Sequence, residues 1–338
     1  MKNILPVEKP PITSYPAISN LMSLLWVHKD DVLPWFCDHY IQLVVKSKDY
    51  ASDWANFYDG IFIANIEPIH SCSFCMYQRV DKTVRNKSFT EFTEFIETQI
   101  NHGYYIETWL DQYFISCSNC YNKSHFMHSN FIYGYDNDKK VVYVSDFFKH
   151  GMYKSEVVSY EEINQSYTLE YQIGNIPSWF LWIRLYKYVG YQYKLNKDLL
   201  LLGLNNYINC KDSFNRFDNA SVTYDPVYFG LDYYNLLIEH CYSVKYNLDI
   251  RAFHVLYDHK IAMLIRLEYL NEERLINNYH KLKQKCENLL NETLKMQNMA
   301  LKYKVNKNDT ILIKIISTCR SLYNMDYDIT NELISNIL

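Results

Sequence analysis

The sequence predicts an α+β protein in which a sheet-containing first half is followed by a mostly helical C-terminal region. Three observations carry that expectation. Residues 128–135 and 140–146 are rich in Phe, Ile, Tyr and Val and flank the turn formers Asp136, Asn137, Asp138 and Lys139, which is the pattern of a hairpin. Short strand-like runs alternate with helix-start signals at Ser88 and Ser159. Beyond Leu195 the apolar spacing changes to steps of three and four and keeps that period. The expected division is residues 1–190 as a mixed α+β domain and residues 195–338 as a helical region packing on it.

In order, the chain is punctuated by proline up to Pro16 and then turns apolar through Leu21, Leu24, Leu25 and Trp26. After Asp30 and Asp31, Pro34 reads as an early helix residue followed by WFCDHYIQLVV. This places Cys37 in or near the first turn of a helix, where free N–H groups and the helix dipole favour a thiolate. The competing reading is a small thiol buried in a core. Residues 61–66, IFIANI, read as a strand. Ser88 and Glu91 form an expected capping box ahead of Phe92, Phe95 and Ile96, and Gly103 ends that helix. Strands are expected at 104–109, 154–158 and 179–188, with a second capping box at Ser159 and Glu162.

In the helical half, Phe253, Leu256, Met263 and Leu267 form one apolar stripe. A longer seam runs through Leu275, Tyr279, Leu282, Cys286, Leu289, Thr293, Met296, Ala300 and Tyr303. A helix of that length needs a partner along its face, either within a bundle or across a homodimer. Its lysines, Lys281 to Lys307, outnumber its acids; they form a solvated face or a dock for an acidic protein.

Composition narrows the function classes. The chain has 338 residues, 17% of them aromatic with 33 Tyr, and only 8 Gly and 8 Pro, which excludes collagen-like or disordered character. A formal charge of −4 gives no global attraction to nucleic acid or anionic lipid. The start lacks the apolar core of a signal peptide and no apolar run is long enough to span a bilayer, so a cytoplasmic location with no membrane partner is expected. Nine cysteines over such a length fit reduced thiols better than a disulfide framework. No Gly-rich phosphate loop, H-E-x-x-H or G-x-S-x-G is present.

Two constellations bear chemistry. A hairpin centred on Asn137 sets His128 opposite Asp146, roughly 5 Å apart at Cβ, so that the carboxylate fixes the imidazole as a general base needs. The bland alternative is a strand histidine with a solvated turn acid. The pairs Cys72/Cys75 and Cys117/Cys120 together make the ligand set of a tetrahedral zinc site, with His70 and His125 nearby. Their separation exceeds the usual ribbon spacing and no Gly follows either pair, so no metal and no other cofactor are expected.

The order Cys37, then WLDQYF around Asp111, then HFMHSNFIYGYD with His128, then VVYVSD with Asp146, resembles the papain-like family named after the butirosin biosynthesis acyltransferase. The helical half, with DIRAFHVLYDHK before a long helix, is similar to the C-terminal region of members encoded beside nonribosomal assembly lines. The resemblance implies a papain-like cysteine-protease-type domain with an antiparallel sheet. It also implies a catalytic set of Cys37 as nucleophile, His128 as base and Asp146 as orienting acid. The implied activity is cysteine-dependent amide synthesis: an acyl group leaves a carrier-protein phosphopantetheine thioester, passes through acyl-Cys37 and ends on a small amine. One departure stands out, since residues 28–36 hold neither Gln nor Asn to bind the oxyanion. The alternatives are a cysteine peptidase or thioesterase, in which water replaces the amine, and a zinc-stabilised interaction protein without catalysis.

Overall fold

The computed structural model describes residues 1–45, 72–149, 151–167, 181–211, 228–243 and 248–338. The strand expected at 61–66 and the first two residues of the one expected at 179–188 lie outside these. The chain is mixed α+β, with an antiparallel sheet and C-terminal helices. It forms two compact units. The first takes Met1–Lys29 and Glu67–Tyr191, the second Asp30–Ile66 and Gln192–Leu338.

The first unit is built on a seven-stranded antiparallel sheet. Its strands are β1 (Lys2–Ile4), β3 (Cys75–Asp81), β4 (Tyr105–Asp111), β5 (Met127–Asp136), β6 (Val141–Asp146), β7 (Lys154–Ser159) and β8 (Trp182–Tyr188), counting β2 (Val44–Val45) in the second unit. The order is β3-β8-β4-β5-β6-β7, and β1 pairs with the far half of β5. The helices α1 (Pro16–Leu25), α3 (Lys82–Asn86), α4 (Phe92–Asn101) and α5 (Tyr160–Ser166) accompany it. One face of the sheet carries Ile106, Leu110, Ile132, Val144, Val158 and Ile183 into a common core with Phe95, Ile96 and Ile100 of α4 and Ile163 of α5. Each such side chain contributes about 1.5–3 kcal/mol on burial, which is why α4 and α5 lie where they do.

Local signals explain the helix ends. Pro16 opens α1, where a missing N–H costs nothing. The Ser159–Glu162 capping box forms as the sequence predicts. The one expected at Ser88 is displaced by three residues: Glu91 is the N-cap of α4 and Glu94 its reciprocal partner. Both registers offer a capping residue followed by an acid, and the one that puts Phe92 at the first helical position also buries it. Gly103 follows α4 with φ +79°, a conformation glycine adopts without a Cβ penalty.

Among the described residues, the second unit contains α2 (Lys29–His39, its first residue excepted), the strand pair β2 and β9 (Tyr228–Phe229), and five further helices. These are α6 (Lys197–Ile208), α7 (Asp232–Ser243), α8 (Arg251–Glu272), α9 (Tyr279–Asn306) and α10 (Asp309–Asn336). The predicted stripe on α8 is buried, and so is the α9 seam from Leu282 to Tyr303. Partners for that seam come from the chain itself, since α9 packs along both α8 and α10. The lysines of α9 are partly spoken for: Lys281 and Lys285 pair with Glu332 of α10, and Lys283 with Glu268 of α8. Among the described residues, no helix is long and apolar enough to cross a membrane.

Candidate functional site

Strands β5 and β6 form the predicted hairpin, but its register differs from a turn centred on Asn137. Asp136 pairs with Val141, an irregularity falls between Ile132 and Gly134, and the last paired residues are Phe131 and Ser145. His128 therefore lies two residues beyond the point opposite Asp146, and the contact is diagonal rather than direct. The side chains meet all the same. His128 Nδ1 lies 2.7 Å from Oδ1 and 2.9 Å from Oδ2 of Asp146.

Asp146 is fully buried and well supplied with donors. Beyond His128 it accepts from Gln112 Nε2 at 2.5 Å and from the Phe147 N–H at 2.6 Å. With Nδ1–H directed at the carboxylate, Nε2 is left as the basic nitrogen of the ring. Trp109, Phe126 and Phe147 surround the imidazole, at centroid distances of 6.4, 5.4 and 6.2 Å. The side chain keeps one-fifth of its surface exposed, so the base is walled by aromatics yet open to a reactant.

The electrostatics follow from these contacts. Burial is the largest influence on His128 and works to lower its pKa, but the charge and hydrogen bond of Asp146 together outweigh it, and the net shift is upward. For Asp146 burial raises the pKa and prevails over the opposing pull of His128, Phe147 N–H and Gln112. The pair thus holds a proton between its members more firmly than either residue would hold one in water.

A second pair lies at the same end of the sheet. His125 Nδ1 is 2.7 Å from Asp111 Oδ2, while Oδ1 of Asp111 accepts the N–H groups of Tyr113 and Phe126. His125 stacks on Tyr113 at 4.2 Å and is two-fifths exposed. Neither this pair nor the role of Gln112 is legible as a site in the sequence, because each depends on the β4–β5 register rather than on local spacing.

Cys37 is placed differently from the expectation. A turn of 3-10 helix at 26–28 runs straight into α2, which begins at Lys29, so Pro34 sits inside the helix and Cys37 in its last turn. Cys37 therefore lacks the helix-start environment that would activate a thiol, since the C-terminal end of a helix dipole disfavours an anion. Cys37 has no exposed surface, and it belongs to the second unit whereas His128 and Asp146 belong to the first. Burial pushes its thiol up to about 12, with Asp38 and Glu272 adding to the rise and Arg266 opposing it. Arg266 is itself buried and fastens the end of α2, donating to Cys37 O and Tyr40 O, each at 2.6 Å.

The other cysteines are free thiols. Cys72 and Cys75 share a hydrogen bond that lowers the pKa of Cys72 and raises that of Cys75. Burial, helped by Glu156 and Glu162, pushes Cys117 up to about 12. Among the described residues, no group of three or more His, Cys, Asp or Glu is arranged to hold a metal ion. A scan against protein-family models gives no match, and neither does a comparison with curated protein sequences.

Proposed function

We propose that this chain is an amide-forming acyltransferase with a papain-like first half. It takes an acyl group from a carrier-protein phosphopantetheine thioester and passes it to a small amine. The reading rests on the sequence resemblance and on one geometric observation: a buried carboxylate holding the Nδ1–H of an accessible, aromatic-walled histidine. Within the family, the sequence is similar to the amide-forming enzyme of polythioamide (closthioamide) assembly.

In this reading His128 Nε2 takes the proton of the attacking amine, and Asp146 holds the ring in the required tautomer while stabilising the imidazolium. The amine nitrogen forms the C–N bond, the C–S bond of the thioester breaks, and the departing thiolate recovers the proton from His128. The thioester brings its own activation, so no nucleotide hydrolysis is called for. Trp109, Phe126 and Phe147 supply apolar surface beside His128 on which the acyl chain would rest, and a bound chain that covers the half-exposed Phe126 would shield the thioester from water and favour aminolysis over hydrolysis.

Cys37 enters as nucleophile through the resemblance. An acyl-Cys37 intermediate requires its buried thiol to lose a proton, which burial opposes. That observation favours a second route, direct attack of the amine on the carrier thioester with His128 as sole proton carrier. Incubation with an acyl pantetheine thioester, with and without an amine, tests the function. Amide formed only with amine and lost in His128→Ala supports transfer, whereas free acid alone means a hydrolase. Intact mass and peptide mapping of the amine-free reaction show whether Cys37 becomes acylated.

A further inference from the structure

The C-x-x-C pair ahead of β3 has no part in the reading above. Cys72, Ser73, Phe74 and Cys75 make a turn that ends on the first residue of β3. Phe74 anchors it: the residue is fully buried, its ring meets Tyr191 edge-on at 5.9 Å, and its carbonyl accepts the Val189 N–H at 2.9 Å. Cys75 is fixed by its pairing with Tyr188 of β8. The sheet therefore holds the backbone that carries the sulfurs.

Within this turn the two sulfurs meet. The Cys75 thiol donates to the Cys72 sulfur, which also accepts the N–H groups of Phe74 and Cys75. Donors converging on one sulfur favour a thiolate, and here they outweigh the burial that opposes it, so the Cys72 pKa falls. Cys75 is the opposite case, since the same hydrogen bond and the Cys72 charge keep its proton in place. One sulfur is thus set up as a nucleophile, with a protonated thiol in contact with it.

Spacing alone does not produce this arrangement. Cys117 and Cys120 have the same separation, but the Cys120 N–H goes to Ser118 Oγ at 3.0 Å, and burial with Glu156 and Glu162 pushes the Cys117 thiol up to about 12. Access selects the reactant. Ser73 and Met76 are exposed, Cys75 is partly exposed and Cys72 keeps 6% of its surface, so the turn suits a reactant of a few atoms rather than a bulky disulfide.

We infer that Cys72 and Cys75 form a redox-active dithiol that a small hydroperoxide converts reversibly to a disulfide, with Cys72 as the attacking sulfur and Cys75 as the resolving one. The site does not depend on the acyl-transfer reading. In the first step the Cys72 thiolate attacks the peroxide: an S–O bond forms, the O–O bond breaks, and the departing oxygen takes a proton from solvent. In the second the Cys75 sulfur attacks the Cys72 sulfenic acid: the S–S bond forms, the S–O bond breaks, and the hydroxide leaves with the Cys75 proton as water. Two electrons pass from the thiols to the peroxide. Once Cys72 is uncharged, the hydrogen bond and charge that kept the Cys75 proton are gone, which eases the second step. A dithiol reductant restores both thiols by exchange.

The reduced full-length protein is treated with hydrogen peroxide, unfolded in N-ethylmaleimide and digested with trypsin, which leaves Cys72 and Cys75 as the only cysteines of peptide 49–79. The inference expects this peptide to lose two hydrogens and both maleimide sites at least tenfold faster than the peptide carrying Cys117 and Cys120, and dithiothreitol to restore them. Cys75→Ser should stop at a sulfenic acid on Cys72, trapped by dimedone, and Cys72→Ser should leave Cys75 a thiol. If peptide 49–79 of the treated parent still takes up both maleimides, or if dithiothreitol does not restore them, the inference is overturned. It is equally overturned if a folded Cys72→Ser protein is oxidised at Cys75 as fast as the parent is.

Discussion

His128 reaches Asp146 across a hairpin whose irregularity between Ile132 and Gly134 moves the two residues out of direct opposition, and the imidazole still contacts both carboxylate oxygens. Because Asp146 outweighs burial at His128, the imidazole should titrate above the ordinary histidine value of about 6.5. In Asp146→Asn the charge is gone while burial remains, so the His128 pKa should fall below that value. Histidine ring resonances followed against pH measure both. A His128 pKa unchanged by Asp146→Asn would show that the carboxylate does not set it.

The same signs fix the pH profile of acyl transfer. A base must be neutral to accept a proton, so the rate should rise with pH as His128 loses its proton, and the acidic limb should move to lower pH in Asp146→Asn. Turnover of that variant should drop by roughly 10²–10⁴-fold, because the ring loses its held tautomer. His128→Ala should fall further. A rate profile whose acidic limb does not move in Asp146→Asn would remove His128 from the base role.

Native Cys37 should resist alkylation. Its sulfur has no exposed surface and its thiol is pushed up to about 12, so iodoacetamide near neutral pH should label the less buried Cys120 first and Cys37 only after unfolding. Peptide mapping against time gives the order. Labelling of Cys37 at the rate of Cys120 would mean that the end of α2 opens in the folded protein, which is what a covalent route through Cys37 requires.

Much of the architecture is legible in the sequence because it rests on local pattern. The β5–β6 hairpin, the Ser159 cap and the α9 seam from Leu282 to Tyr303 all follow from periodicity and turn chemistry. What escaped has a physical reason in each case. Pro34 is compatible with a first turn, but the helical turn at 26–28 supplies residues upstream and draws the helix start back to Lys29, which carries Cys37 to the other end of the dipole. The Gln112–Asp146 and His125–Asp111 contacts are set by sheet register and by the path of the β4–β5 connection, neither of which a spacing rule encodes.

Arg266 should matter to stability more than its place in the middle of a helix implies. It satisfies two carbonyls at the end of α2, and both would be left buried without a donor in Arg266→Met. The expected loss is about 2–5 kcal/mol, read as a lower urea midpoint at unchanged slope. Arg266→Lys should recover only part of it, because an ammonium cannot span both carbonyls as the planar fork does. A loss below about 1 kcal/mol in Arg266→Met would show that water takes over the carbonyls.

The buried centre of the helical unit offers the sharpest pH test. Lys260 donates to Asp326, to Tyr207 Oη at 3.1 Å and to His259 Nδ1 at 2.9 Å, and His259 Nε2 is satisfied by Ile41 O at 2.7 Å. Asp326 also accepts from Tyr207 at 2.5 Å and Tyr234 at 2.9 Å. Burial lowers the Lys260 pKa, and Asp326 is the main force opposing that. In Asp326→Asn the lysine loses its counter-charge, and the variant should be about 3–5 kcal/mol less stable at neutral pH. Its folded-state lysine pKa should drop further below the unfolded value of about 10.4, so over that interval the unfolded chain binds one more proton than the folded one. Stability of the variant should therefore climb as pH rises from neutral toward about 10, at up to about 1.4 kcal/mol per pH unit, and its deficit relative to the parent should shrink. Urea unfolding at a series of pH values measures this. A deficit that stays constant across the range would show that Lys260 keeps its proton without Asp326, held by Tyr207 and His259 alone.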